Sequence, residues 1–206
     1  MKPSRIMLFP LDVVLFPGMT LPLHIFEERY KLMVARCLRE KAEFGIVLAG
    51  EKGIATAGCT ARIQEVMKTY PDGRMDILTA GCDVYSIQEV IEEKEYYEAD
   101  VNYLVEEPSL ENSAESAELQ QLFGECHEWL YGHTHPGFSG DTRIPLCYQI
   151  AARMPLQLEA KQALLEIRSE DLRRPFLLER LRELRTALAS RRQLLKKAGG
   201  NGHGPN

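Results

Sequence analysis

Prolines at positions 10, 17 and 22 cut the apolar run FPLDVVLFPGMTLPLHIFEERY, residues 9–30, into pieces too short for a helix. A proline holds its predecessor in extended geometry and cannot donate to a sheet ladder. Pro17-Gly18 has turn chemistry, because proline pre-sets φ and glycine accepts φ > 0. An amphipathic helix opens with Phe26-Glu27-Glu28-Arg29-Tyr30. The run therefore reads as short strand, tight turn, short strand, helix. It holds no nucleophile and no metal cluster, which tilts the reading toward a binding module.

The β signal continues downstream. Ala55, Ala57, Cys59, Ala61 and Ile63 alternate with polar or small residues, the pattern of a half-buried strand. Pro71-Asp72-Gly73 is a turn, and Met75, Ile77 and Thr79 resume the alternation. Tyr97, Ala99, Val101, Tyr103 and Val105 alternate again. One helix interrupts this half, with Phe26, Tyr30, Met33, Cys37 and Leu38 at helical spacing. Glu106-Glu107-Pro108-Ser109 marks a change of composition, and helical periods follow. Leu119, Leu122, Phe123, Cys126, Trp129 and Leu130 form one stripe. Asp141 can cap a helix ending before Pro155, a short helix covers 158–167, and Ser169 can cap the last. Pro175 reads as a first-turn proline, placing the start of that helix near Arg174. The expected division is a β-rich part, residues 1–107, a helical part, 108–198, and a disordered Gly-rich tail, 199–206.

A chain of 206 residues with 45% hydrophobic content supports one or two compact cores. The net charge of −5 disfavours a dedicated nucleic-acid binder. Acid concentrates over residues 89–107 and base over the last helix, and both runs read as solvated faces. Cys37, Cys59, Cys82, Cys126 and Cys147 are scattered and odd in number, as expected of reduced thiols in a cytoplasmic protein. No apolar run has signal-peptide or membrane-spanning length.

Pro10-Leu11, Val14-Leu15-Phe16-Pro17-Gly18, Pro22-Leu23 and Ile25-Phe26-Glu27, with Arg29 and Tyr30, form a first motif block. A second is Ile150-Ala151-Ala152-Arg153-Met154-Pro155-Leu156, followed by Lys161-Gln162-Ala163-Leu164-Leu165-Glu166. In this order the blocks resemble the substrate-binding domain found at the N-terminus of ATP-dependent Lon proteases, over residues 5–188. The resemblance implies an α+β fold: a β-rich PUA-like pseudo-barrel followed by a C-terminal helical bundle. It also implies a protein-binding module that recognises exposed apolar segments. Its partners would be unfolded or client proteins, Lon protease or Lon substrates, with no cofactor. The sequence has no GxxxxGK[ST] phosphate loop and nothing supplies a Ser-Lys peptidase pair. The expectation is a non-catalytic, stand-alone, cytoplasmic domain. Adaptor, competitor for Lon clients and small-ligand sensor all stay open.

Within the first block the candidate peptide-binding residues are Phe16, Pro17, Leu23, Phe26, Glu27, Arg29 and Tyr30. Most of Val13, Val14, Leu15, Phe16 and Met19 should be core, and any exposed members would form an apolar contact patch. Glu27 and Arg29 read first as a local ion pair and second as a polar edge to that patch. His24, just before the helix, reads as a cap or packing residue. Cys126, His127, His133, His135 and Cys147 gather around one loop, but their spacing fits no zinc pattern and Cys126 sits on an apolar stripe. No metal is therefore expected. Gly137-Phe138-Ser139-Gly140 does not satisfy GxSxG. The rival readings are an RNA-binding PUA-like protein and a metal-dependent enzyme. The acidic total and the absence of aromatics interleaved on the basic helix oppose RNA.

Overall fold

Among the described residues, six strands and one helix occupy the first half of the chain, and four further helices follow. The structure, a computed structural model, describes residues 2–51, 53–92, 95–109, 113–135, 137–138 and 143–200. The strands are β1 (Arg5–Leu11), β2 (Thr20–Ile25), β3 (Phe44–Gly50), β4 (Gly53–Thr69), β5 (Met75–Ile91) and β6 (Glu98–Tyr103), with helix α1 (Glu28–Glu40) after β2. The long strand β5 pairs with β4 along one side. Along the other it pairs with β2 over its first half and with β6 over its second. β6 returns to β1, β1 runs parallel to β3, and β3 pairs with β4. The ring β5-β4-β3-β1-β6 thus closes on itself, which removes its edges. Among the described residues β2 is a rim strand bonded on one side, a position that tolerates Pro22.

Closure puts both faces of the strands under cover. Along β1, Ile6 and Leu8 join Tyr85, Ala99 and Val101 inside the barrel. The alternate residues Met7 and Phe9 pack outward beneath α1. Tyr85 fills the interior and donates its hydroxyl to the Ile46 carbonyl at 3.1 Å. A Cβ at Gly45 or Gly58 would strike its ring, so those glycines make room for it. The half-buried strand expected around residue 59 is corrected accordingly: residues 57–61 are buried throughout. Gln162 donates to the Ala57 carbonyl at 3.0 Å and Thr60 donates to Glu43 at 2.6 Å, covering the face that a solvated strand would leave open. The 71–73 turn joins β4 to β5 with Gly73 at φ +81°, as its chemistry requires.

Helix α1 buries Tyr30, Met33, Val34 and Cys37. Phe26 and Leu38, expected on this stripe, are exposed instead. Phe26 precedes the first helical residue, and Val34 fills the face that Leu38 leaves.

The second half contains α2 (Ser113–Tyr131), α3 (Leu146–Ala151), α4 (Leu158–Glu166) and α5 (Glu170–Gly200). The mixed α+β architecture is the one expected. Leu119, Leu122, Phe123 and Cys126 of α2 share a core with Leu177, Leu178 and Leu181 of α5 and with Tyr148, Ile150 and Ala151 of α3. α5 starts at Glu170, directly after Ser169, and Pro175 lies inside it rather than in its first turn. α3 follows Pro145 without a side-chain cap. Asp141, Ser139 and the tail residues 201–206 lie outside the described residues.

The charge runs are not simply solvated. Arg174 pairs with Glu115 at 3.2 Å, Arg182 with Glu118, and Arg185 with Glu125 at 3.4 Å. These rungs ascend together, so α2 and α5 run parallel. In the acidic stretch Asp100 meets Arg5 at 2.9 Å and Glu98 meets Arg36 at 3.1 Å. Glu106 meets Arg173, whose side chain is fully buried. Arg173 also reaches Glu170, Tyr148 and the Ile167 carbonyl. Burial lowers its pKa to about 10, which still leaves it charged at neutral pH.

Candidate functional site

The first motif block divides between core and surface. Around residues 14–16 the side chains alternate between two cores: Val14 and Phe16 enter the helical one and Leu15 enters the barrel–α1 one. Phe16 has no exposed surface and stacks on Tyr148 with ring centroids 5.4 Å apart. The chain then turns, with the Met19 N–H donating to the Phe16 carbonyl at 3.0 Å and Gly18 at φ +75°. Gly18 and Met19 exchange backbone hydrogen bonds with Gly81 at 2.9 Å, and a Cβ on Gly81 would collide with the Phe16 carbonyl. Tyr30 is buried against Phe9, centroids 4.0 Å apart. Phe16 and Tyr30, expected to touch a partner, are therefore corrected to core residues.

Pro17 sits where the two motif blocks meet. The 17–20 turn faces Ile144, Gln149 and Arg153 across a cleft of about 310 Å³. Ile150, Ala151 and Met154 of the second block are buried behind that wall. Arg153 donates to the Gln149 carbonyl at 2.6 Å, which fixes one lip of the cleft. Both blocks are thus read more simply as the clasp between barrel and helices than as a solvent-facing site.

The exposed part of the first block lies on the rim strand. Phe26 is 59% exposed and Met67 47%, and Leu23 is half-buried. Leu23 and Met67 line one shallow depression together with His24, Lys68 and Asp76. The β2–β5 register sets His24 opposite Asp76, and His24 Nδ1 lies 2.5 Å from the Asp76 carboxylate. Tyr70 donates to the other carboxylate oxygen at 2.8 Å. The His24 hydrogen bond, then that of Tyr70, hold the Asp76 carboxyl below the usual carboxylate range. The His24 ring stacks on Phe26 at 6.0 Å and meets Tyr70 edge-on at 5.8 Å. A hydrogen-bonded base thus presents Phe26 to solvent. Glu27 and Arg29 form the local ion pair, 2.7 Å, with the guanidinium over the Tyr30 ring.

Tyr70, Met67, Lys68 and Asp76 had no mark in the sequence as site residues. The β4–β5 hairpin delivers them to β2, a placement local spacing does not encode. His24 reads as a member of this network, not as a helix cap.

Where α2 ends, His127 lies with ring centroids 5.2 Å from His133 and 5.0 Å from His135, and Phe123 packs on His127 and His135. Among the described residues no group of three or more His, Cys, Asp or Glu is placed to hold a metal ion. Burial pushes the thiols of Cys37 and Cys126 up to about 12 and about 11, so neither offers a thiolate nucleophile near neutral pH. No described helix is long and apolar enough to cross a membrane.

Residues 5–183 match the family model of the ATP-dependent protease La (LON) substrate-binding domain. The chain is 26% identical to Lon protease 2 of Myxococcus xanthus over 90% of its own length and 24% of that protein. It is 27% identical to Lon protease of Escherichia coli K12 over 81% and 23%. It spans about a quarter of these curated relatives. Among solved structures, the Lon N-terminal domain protein from Xanthomonas campestris superposes with a TM-score of 0.64 at 22% identity, covering 86% of this chain and 98% of that one. The N-terminal domain of Mycobacterium avium complex Lon protease gives 0.63 at 16%, covering 86% and 97%. That family model covers most of the chain, both solved N-terminal domains share its fold, and the chain belongs to the Lon substrate-binding domain family.

Proposed function

We propose that this chain is a non-catalytic, cytoplasmic module that takes up exposed apolar segments of client proteins on the rim shelf of Leu23, Phe26 and Met67. The observation that carries the reading is Phe26, a large aromatic left in solvent on a hydrogen-bonded base beside a strand whose outer edge has no strand partner among the described residues. An extended client segment can pair with such an edge while its alternate side chains reach the apolar shelf. Pro22 has no N–H to give, so the ladder is short and side-chain contacts supply most of the selectivity. Glu27 and Arg29 sit at the polar border, and Pro17 lines the separate cleft. Family membership and the lack of a phosphate loop support a binding role without ATPase or peptidase chemistry. The clients are unfolded proteins or the substrates of Lon, and residues 1–107 and 108–198 act as the two subdomains of one module. RNA binding is less favoured, because Arg174, Arg182 and Arg185 are matched by carboxylates of α2.

The test uses a reduced, carboxymethylated unfolded protein as probe and fluorescence anisotropy as readout. Phe26→Ala with Met67→Ser should weaken binding at least tenfold, about 1.4 kcal/mol, with the circular dichroism spectrum unchanged. Wild-type binding no tighter than that of a charge-matched control protein, or a variant that binds like wild type, would rule the shelf out.

A further inference from the structure

The ladder between α2 and α5 ends before α5 does. Its last contact among the described side chains sets the Arg192 guanidinium over the Trp129 ring, 4.9 Å from the centroid. α2 stops at Tyr131, and the chain turns away through Gly132 at φ +77°. α5 continues to Gly200, roughly 12 Å further at about 1.5 Å per residue.

The chemistry of the covered part carries on into the uncovered part. Leu181 is buried against α2, and Leu184 and Leu188 pack partly against the same core. Leu195 falls one heptad beyond Leu188 and so on the same stripe, yet it is 64% exposed, and its neighbour Leu194 is 68% exposed. From residue 184 onward the sequence holds no acid, and it places Arg185, Arg191, Arg192, Lys196 and Lys197 there. Of these, Arg185 has its carboxylate on α2.

The molecule itself shows what covers such a stripe. α2 is an acidic amphipathic helix: Glu115, Glu118 and Glu125 answer the arginines while Leu119, Leu122 and Cys126 fill the seam. We propose that the free end of α5 docks an acidic amphipathic helix of a partner protein, which continues the role of α2 beyond Tyr131. An extended polyanion, whether RNA or an anionic membrane, fits less well. The chain as a whole carries −5, so its body repels a broad negative surface, whereas one helix contacts the basic end alone. This surface is separate from the rim shelf and does not depend on it.

The probe is a designed helical peptide with a leucine heptad seam and glutamate flanks, fluorescently labelled and titrated with the full chain. A lysine-flanked counterpart, phosphatidylserine vesicles and a single-stranded RNA are titrated in parallel. The acidic peptide should bind, more weakly at high salt, and at least tenfold tighter than its counterpart. Leu194→Ser with Leu195→Ser should cost at least tenfold while leaving helix content unchanged, since both side chains are exposed. Phe26→Ala should leave this binding untouched, which separates it from client uptake. Equal binding of both peptides, full binding by the leucine variant, or capture of vesicles or RNA in place of the peptide would overturn the proposal.

Discussion

His133 and His135 both meet the His127 ring, and the hydrogen bonds of the three imidazoles assign them different proton needs. His127 and His133 each direct Nδ1 at a backbone carbonyl, of His133 and Tyr131 respectively, both at 3.1 Å, so those nitrogens donate. His135 does the reverse: its Nδ1 accepts the Gly137 N–H at 3.1 Å. The groups whose charge reaches His135 are Arg153, His127 and His133, all cationic when charged. Burial first, then these neighbours, push its pKa below the ordinary value. Unfolded, it titrates near ~6.5. Between the folded and unfolded values the unfolded chain binds more protons. Stability from this site is therefore complete above the unfolded value and is lost as pH falls toward the folded one. The urea midpoint should drop on acidification from neutrality toward pH ~5, and His135→Gln should flatten that slope. An equal slope in wild type and variant would show that His135 is not responsible.

At the scale of elements, α5 carries a local cost in its second turn. Pro175 has no N–H for the Asp171 carbonyl, and it sits exposed within the helix. Pro175→Ala should restore that bond and raise stability by about 1–3 kcal/mol, read as a higher denaturant midpoint at constant slope. An unchanged midpoint would mean that the helix start has already relaxed around the ring. Such placements mark the limit of what the sequence discloses. Helical spacing in Tyr30, Met33 and Cys37, and turn chemistry in Pro71-Asp72-Gly73, are local signals, and the structure follows them. Periodicity cannot report which element arrives on the second face of a strand, so residues 57–61 looked half-buried until barrel closure and α4 covered them. Arg173 and Glu106, or His24 and Asp76, meet across long stretches of chain, and neither partner announces the other. Motif recognition took Phe16 and Tyr30 as partner-contacting residues, whereas the fold buries both. Phe16 ties the first block to the helical core and Tyr30 fills the barrel–α1 core, and the exposed shelf depends on hairpin residues outside the motif.

For the whole molecule, the central question is whether barrel and helices are one cooperative unit. Phe16 answers it physically. Its backbone belongs to the segment between β1 and β2 and bonds to the turn at Met19, while its ring lies wholly inside the helical core on Tyr148. Val84 of β5 enters the same core. Removing the Phe16 ring leaves a cavity shared by both halves, at a cost of about 3–5 kcal/mol. Phe26→Ala, on the exposed shelf, should stay within about 0.5 kcal/mol of wild type. Trp129, the single tryptophan, reports on α2, and amide exchange along β4 and β5 reports on the barrel. In wild type the two probes should lose structure at the same denaturant concentration. In Phe16→Ala both should shift down together if the halves fold as one. A variant whose tryptophan signal melts early while barrel amides keep wild-type protection would show that the helices are a separately folding layer. The clasp of the two motif blocks would then serve to position the halves without coupling their stability.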